Sequence, residues 1–201
     1  MNKGIVYLIG AGCGEYDLIT LRGLELLKKC DTIVYDSLID EKILDFADKG
    51  AEKIFVGKRA GKPSQTQEKI NSILIEKALE GKKVARLKGG DSFVFGRGGE
   101  EIIALNNNDI PFELVPGITS AVAVPEMAGI PVTHRSVSRS FHVITGHTKE
   151  DRLPKKMSVY AKLDGTLVFL MGLGNLKNIA DSLLENGKSP ETPVAVISNG
   201  G

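Results

Sequence analysis

The stretch Arg86-Leu87-Lys88-Gly89-Gly90-Asp91-Ser92-Phe93-Val94-Phe95-Gly96-Arg97-Gly98-Gly99-Glu100-Glu101 decides the reading of this chain. A strand-like run, Val84-Ala85-Arg86-Leu87, stops at Gly89-Gly90-Asp91. Adjacent glycines let backbone approach a ligand closely, because no Cβ stands in the way. The carboxylate that follows can accept hydrogen bonds from a ligand's hydroxyls or amine. Gly96, Gly98 and Gly99 keep the next loop open before Glu100 and Glu101 begin a helix. So many glycines between a strand and a helix point to a binding loop, with a plain strand-to-helix turn as the bland alternative.

Outward from that loop, short apolar runs alternate with amphipathic stretches. Strands are expected at Ile5 to Ile9, Thr32 to Tyr35, Lys53 to Val56, around Val84 and at Phe112 to Val115. Helical spacing of leucines runs from Leu18 to Leu27 with Thr20 as a cap near its start. Ser64-Gln65-Thr66-Gln67 has the form of a capping box, and Ile70, Ile73, Leu74 and Lys77 continue one helix. Strands alternating with helices predict βαβ units and a mainly parallel sheet. The Pro116-Gly117 break divides the chain into two α/β lobes, 1–115 and 116–201. The second holds a small-residue helix from Thr119 to Met127, strand candidates at His142 to Thr145 and Leu167 to Leu170, a helix from Leu176 to Leu184 and a final run from Val194 to Ile197.

With 201 residues, 42% hydrophobic and 25% charged, the chain has the composition of a globular protein with ample core. A formal net charge of +1 offers no case for nucleic-acid or membrane binding, and the absence of tryptophan weakens any base-stacking surface. Cys13 and Cys30 have neither CxxC spacing nor a histidine cluster, which argues for a reducing cytoplasm and against a zinc site. The five apolar residues before the first glycine loop are too short for a signal peptide core. His134, His142 and His147 lack metal-ligand spacing, so no metal is expected.

Gly10-Ala11-Gly12-Cys13-Gly14 follows the first strand, and Asp36 ends the second, in outline a dinucleotide-binding fold. The detail fails. The fingerprint's third glycine belongs one place later, where Glu15 stands, and Glu15 with Asp17 puts negative charge where a pyrophosphate would sit.

Taken together, these segments resemble the uroporphyrinogen-III C-methyltransferases, within the tetrapyrrole methylases that use S-adenosylmethionine. The Gly89-Gly90-Asp91 string is the first part of the match. Gly10, Gly12 and Gly14 are similar to a Gly-x-Gly-Pro-Gly loop bordering the active-site cleft, with Cys13 at the proline position. Tyr35-Asp36-Ser37-Leu38-Ile39 resembles the segment whose aspartate is the proton acceptor, and Val56-Gly57-Lys58-Arg59-Ala60-Gly61 one whose lysine is the donor. Val115-Pro116-Gly117-Ile118-Thr119-Ser120 and Val168-Phe169-Leu170-Met171-Gly172 resemble two further cofactor segments. The resemblance therefore implies catalytic roles for Asp36 and Lys58, and cofactor binding by Cys13, Gly89, Gly90, Asp91, Val94, Thr119, Ser120, Met171 and Gly200. It implies a two-lobed fold with the active site between lobes, the first lobe carrying the catalytic loops and the second completing the cofactor site. Ser92 stands where the family has proline, and family members run a few dozen residues past the point where this chain stops, so the second lobe is expected to be cut short.

The implied reaction moves methyl groups from S-adenosylmethionine to two pyrrole carbons of uroporphyrinogen III, giving precorrin-2 for sirohaem or cobalamin synthesis in a cytoplasmic homodimer. The protein's task is mainly alignment. The carboxylate-rich substrate calls for cations, and Arg59, Lys62, Arg97 and Arg135 are the candidates. Each has a plainer reading: Asp36 as a cap, Lys58 and the arginines as solvated charges, Asp91 as a helix cap and Met171 as core filler. Methylation of a later precorrin, a non-catalytic tetrapyrrole- or cofactor-binding module and a nicotinamide oxidoreductase are the alternative functions.

Overall fold

The computed structural model describes residues 3–57, 65–146, 154, 156–198 and 200. They form two compact units, one running to Ser120 and the other from Ala121 to Gly200.

The first unit is built on five parallel strands, β1 (Ile5–Gly10), β2 (Thr32–Tyr35), β3 (Glu52–Phe55), β4 (Lys83–Lys88) and β5 (Phe112–Val115). Their order is β3-β2-β4-β1-β5. Helices α1 (Leu21–Leu27), α2 (Gln67–Leu79) and α3 (Gly98–Asn106) connect them. Because side chains alternate across a strand, the sheet carries two cores. On one face Ile9, Ile33, Ala85, Leu87 and Val115 pack with Leu27 of α1 and with Ile43 and Leu44 of a 3-10 segment. On the other, Val6, Leu8, Val34 and Val84 meet Ile70, Leu74 and Ala78 of α2 and Leu105 of α3. Central parallel strands are buried on both faces, which explains why β1 and β4 read as runs with little alternation.

Helix starts depart from the sequence reading for local reasons. The leucine-rich helix begins at Leu21, not Leu18, because the Thr20 side chain accepts a hydrogen bond from the Gly23 amide, and Tyr16–Leu18 forms a separate 3-10 turn. The N-cap of α2 is Thr66, whose hydroxyl accepts from Lys69, so the helix starts later than a capping box opening at Ser64 implies. Ser64 itself lies outside the described residues.

The second unit contains α4, whose span Ser120–Met127 starts at the boundary residue, and parallel strands β6 (Phe141–Thr145) and β7 (Thr166–Leu170). A short helix, α5 (Met157–Tyr160), and α6 (Leu176–Glu185) complete it. The Val194 to Ile197 run has no regular secondary structure, and Val194 is 78% exposed. Among the described residues no helix is long and apolar enough to cross a membrane.

Candidate active site

At the carboxyl ends of β1, β4 and β5, three loops pack closely together, backbone against backbone. Gly90 and Gly12 exchange both amide hydrogen bonds, and the Ala11 amide donates to the Lys88 carbonyl. Gly10 and Gly117 lie back to back. A Cβ on Gly10 would stand 2.5 Å from the Gly117 Cα, closer than real Cβ contacts come. Gly89 is equally confined, against the Leu38 carbonyl. Gly90 differs from its neighbours. Its φ of +68° lies in the left-handed region that glycine tolerates. Space opens where its side chain would be, framed by the Ser120 amide nitrogen at 3.9 Å and the Ile118 carbonyl at 4.0 Å. A ligand group can therefore meet peptide donors and acceptors there with no side chain intervening.

Asp91 ties this cradle together. One carboxylate oxygen accepts from the Phe93 amide at 2.8 Å and the other from the Gly117 amide at 3.0 Å, joining the β4 loop to the β5 loop. The sequence reading offered cofactor binding with a helix cap as the plainer role. The structure shows a loop clamp instead of that cap, since the residue at the N-cap of α3 is Arg97. Thr119 and Ser120 sit at the entry to α4, and Val94 is half-buried in the following loop. Cys13 is half-buried too, and burial pushes its thiol up from the ordinary value.

One strand away, the edge is charged. Asp36 follows β2, with a side chain 22% exposed. One of its oxygens accepts from the Leu38 amide at 3.0 Å, and the other from Arg86 Nη2 at 3.3 Å. Arg86 lies in the middle of the sheet, in register with Leu8 of β1 and Val34 of β2, and its side chain is 4% exposed. Its Nη1 donates to the carbonyls of Val34 and Leu87, and its Nε to Glu101 Oε1 at 3.0 Å. The same Glu101 oxygen accepts from Lys88 Nζ at 3.0 Å and from Gln67 Nε2 at 3.3 Å. Glu101 is fully buried, and its Oε2 has no hydrogen-bond partner among the described residues. Burial and the Arg86 charge pull the Lys88 ammonium below its ordinary pKa, against the opposing pull of Glu101 and Asp36.

Sequence reading missed Arg86, Lys88, Glu101 and Gln67. A signal existed. Val84, Arg86 and Lys88 alternate onto one face of a central strand, and two cations on such a face require acids beneath them.

The other candidates are scattered or undescribed. Lys58, Arg59, Lys62 and His147 lie outside the described residues. Arg97, half exposed with φ of +59°, is paired through two nitrogens with Glu100. In the second unit Arg135 is exposed, and Gly200 follows the irregular run. Met171 is 60% exposed with φ of +57°, which rules out the core-filling role.

Residues 5–201 match the profile of the tetrapyrrole (corrin/porphyrin) methylases. The chain belongs to the tetrapyrrole methylase family. Within tetrapyrrole methylases, a uroporphyrinogen-III C-methyltransferase of Methanocaldococcus jannaschii is 57% identical over 198 residues, 98% of this chain and 82% of that one. An S-adenosyl-L-methionine-dependent uroporphyrinogen III methyltransferase of Methanosarcina barkeri is 52% identical, over 99% of this chain and 79% of that one. The solved uroporphyrin-III C-methyl transferase of Thermus thermophilus, complexed with S-adenyl homocysteine, superposes with a TM-score of 0.78 at 40% identity. That match covers 93% of this chain and 74% of the Thermus chain. The parallel five-stranded sheet and the two-stranded sheet are thus those of a tetrapyrrole methylase.

Proposed function

We propose that this chain transfers methyl groups from S-adenosylmethionine to two pyrrole carbons of uroporphyrinogen III, giving precorrin-2. The observation that carries this is 57% identity over 98% of the chain to a methyltransferase named for that substrate.

The cradle fits the polar end of the methyl donor, because the space at Gly90 is lined by peptide groups that can satisfy an amino acid's charges. In the first unit Gly89, Gly90, Asp91, Val94, Thr119 and Ser120 would hold it, with Cys13 alongside. When bound, the donor supplies an electrophilic methyl group on sulfonium sulfur. Reduced pyrroles are electron-rich carbon nucleophiles, so the residues need only align the reactants and take up a proton. Asp36 takes that proton. It is an acceptor-only group when ionised, partly open to solvent, and held through both oxygens. Lys58 returns a proton, and Arg59, Lys62, Arg97 and Arg135 supply cations for the substrate's carboxylates. The resemblance of the Asp36, Lys58 and glycine-loop segments to this family's motifs supports those assignments, and the proposal includes a cytoplasmic homodimer, the form the resemblance implies.

Anaerobic turnover with methyl-labelled S-adenosylmethionine tests the proposal, with the tetrapyrrole examined by mass spectrometry. Two labelled methyls per product ring are expected. Label-free uroporphyrinogen III, from a protein that still binds S-adenosylhomocysteine, would reject the assigned substrate.

A further inference from the structure

Arg86 occupies a place that apolar residues fill better. Its neighbours on that face of the sheet are Val6, Leu8, Val34 and Val84, and taking an ion out of water there carries an effective penalty of several kcal/mol. A hydrophobic side chain of similar size would avoid that penalty, so packing alone does not account for a guanidinium at this position. What the guanidinium does, and an apolar group cannot, is reach three elements at once. Nη2 reaches Asp36 after β2, Nη1 reaches carbonyls of β2 and β4, and Nε reaches Glu101 on α3.

Resting on the reading of Asp36 as the proton acceptor, we infer that Arg86, anchored by Glu101, is the positioning residue that sets the Asp36 carboxylate for that role. The Leu38 amide holds one carboxylate oxygen and Arg86 the other, so rotation of the carboxylate breaks one bond or both. Glu101 fixes the guanidinium from behind. Its Oε1 also takes Lys88 and Gln67, and the four ions balance, two cations against two carboxylates. The planar fork gives Asp36 its direction as well as a positive neighbour. A lysine has one nitrogen and a flexible stem and cannot meet Asp36 and Glu101 in that fixed geometry.

The test is a double-mutant cycle on the single-turnover rate of methyl transfer. Arg86→Lys keeps the buried charge and removes the fork. It is expected to lower the rate by roughly tenfold or more, since displacement of a reacting group by about 1 Å can cost about a hundredfold. The KM for uroporphyrinogen III and the affinity for S-adenosylhomocysteine are expected to stay within about twofold, because the Arg86 side chain is buried beneath the edge and its partners are protein groups. In an Asp36→Asn background the same substitution is expected to cost less than about twofold, since its route to the chemistry is already cut.

Equal losses in both backgrounds would make Arg86 a general structural residue and overturn the inference. So would a loss carried by the substrate KM. Should Arg86→Lys lack a cooperative unfolding transition, Glu101→Gln carries the same cycle. It keeps shape and an acceptor oxygen while removing the charge that anchors Arg86. A roughly threefold loss that vanishes beside Asp36→Asn supports the inference, and an additive loss overturns it. The underlying reading fails separately: Asp36→Asn at the wild-type rate, with Arg86 intact, removes Asp36 from the chemistry and Arg86's role with it.

Discussion

Around Gly90 the carboxyl edge of the first sheet is made of backbone, and around Asp36, one strand away, it is made of charge. Gly10, Gly89 and Gly117 leave no room for side chains, and at Gly90 the nearest groups are the Ser120 amide and the Ile118 carbonyl. The Asp36 corner holds Arg86, Lys88 and Glu101 against a layer that is mostly aliphatic. The first arrangement depends on close backbone packing and fails when a Cβ is added. The second sets the place of a charge and fails when one ion loses its partners. The proposed function puts methyl-donor binding on the first and proton transfer on the second.

The largest expected effect tests the charged corner. Glu101→Ala leaves Arg86 and Lys88 buried without their shared acceptor, and breaking a buried pair in this way costs about 3–5 kcal/mol. Urea unfolding measures it, and a loss below about 1 kcal/mol would show that the ions do not depend on one another. On the backbone side, Gly117→Ala sets a methyl against the Gly10 Cα at 2.6 Å, where only backbone could give way. Overpacking of that kind costs about 1–3 kcal/mol, and S-adenosylhomocysteine affinity should fall with it. Unchanged stability would mean that the three loops are looser than their glycines imply.

Ser92 is a smaller matter. Its hydroxyl is buried and has no hydrogen-bond partner among the described residues. Ser92→Ala is expected to change stability by less than about 1 kcal/mol or to raise it, because an unmade hydrogen bond is removed. A larger loss on thermal unfolding would reveal a bond to an ordered water. Smallest of all is an effect at Cys30, whose thiol is pushed up to about 12 by burial first and by Asp31 next. A raised value means less thiolate at any given pH. Iodoacetamide at pH 8 should therefore leave Cys30 unmodified in the folded protein, and rapid alkylation of it would contradict the burial.

Much of this edge was legible because its signals are local. Glycines after Ile9 and after Lys88 marked the loops, and Thr20 marked a helix start by its own side chain. Asp36 was legible as the residue ending a strand. The Arg86 network was not, because the acids that pair with Arg86 lie 15 and 50 residues away in sequence and meet it only when α3 covers the sheet. Arg86 passed as one member of an apolar run, though its central position required a buried acid. Val194 to Ile197 was legible only as an apolar run, because four residues of composition do not provide a pairing partner, and it has no regular secondary structure.

The division between cradle and charged corner is tested most directly by Asp36→Asn, with single-turnover methyl transfer and S-adenosylhomocysteine binding measured on the same preparation. The account predicts a rate lower by about a hundredfold or more, the scale of general acid–base catalysis, with cofactor affinity within about twofold of wild type. A wild-type rate, or a rate that falls only because the cofactor no longer binds, would contradict it.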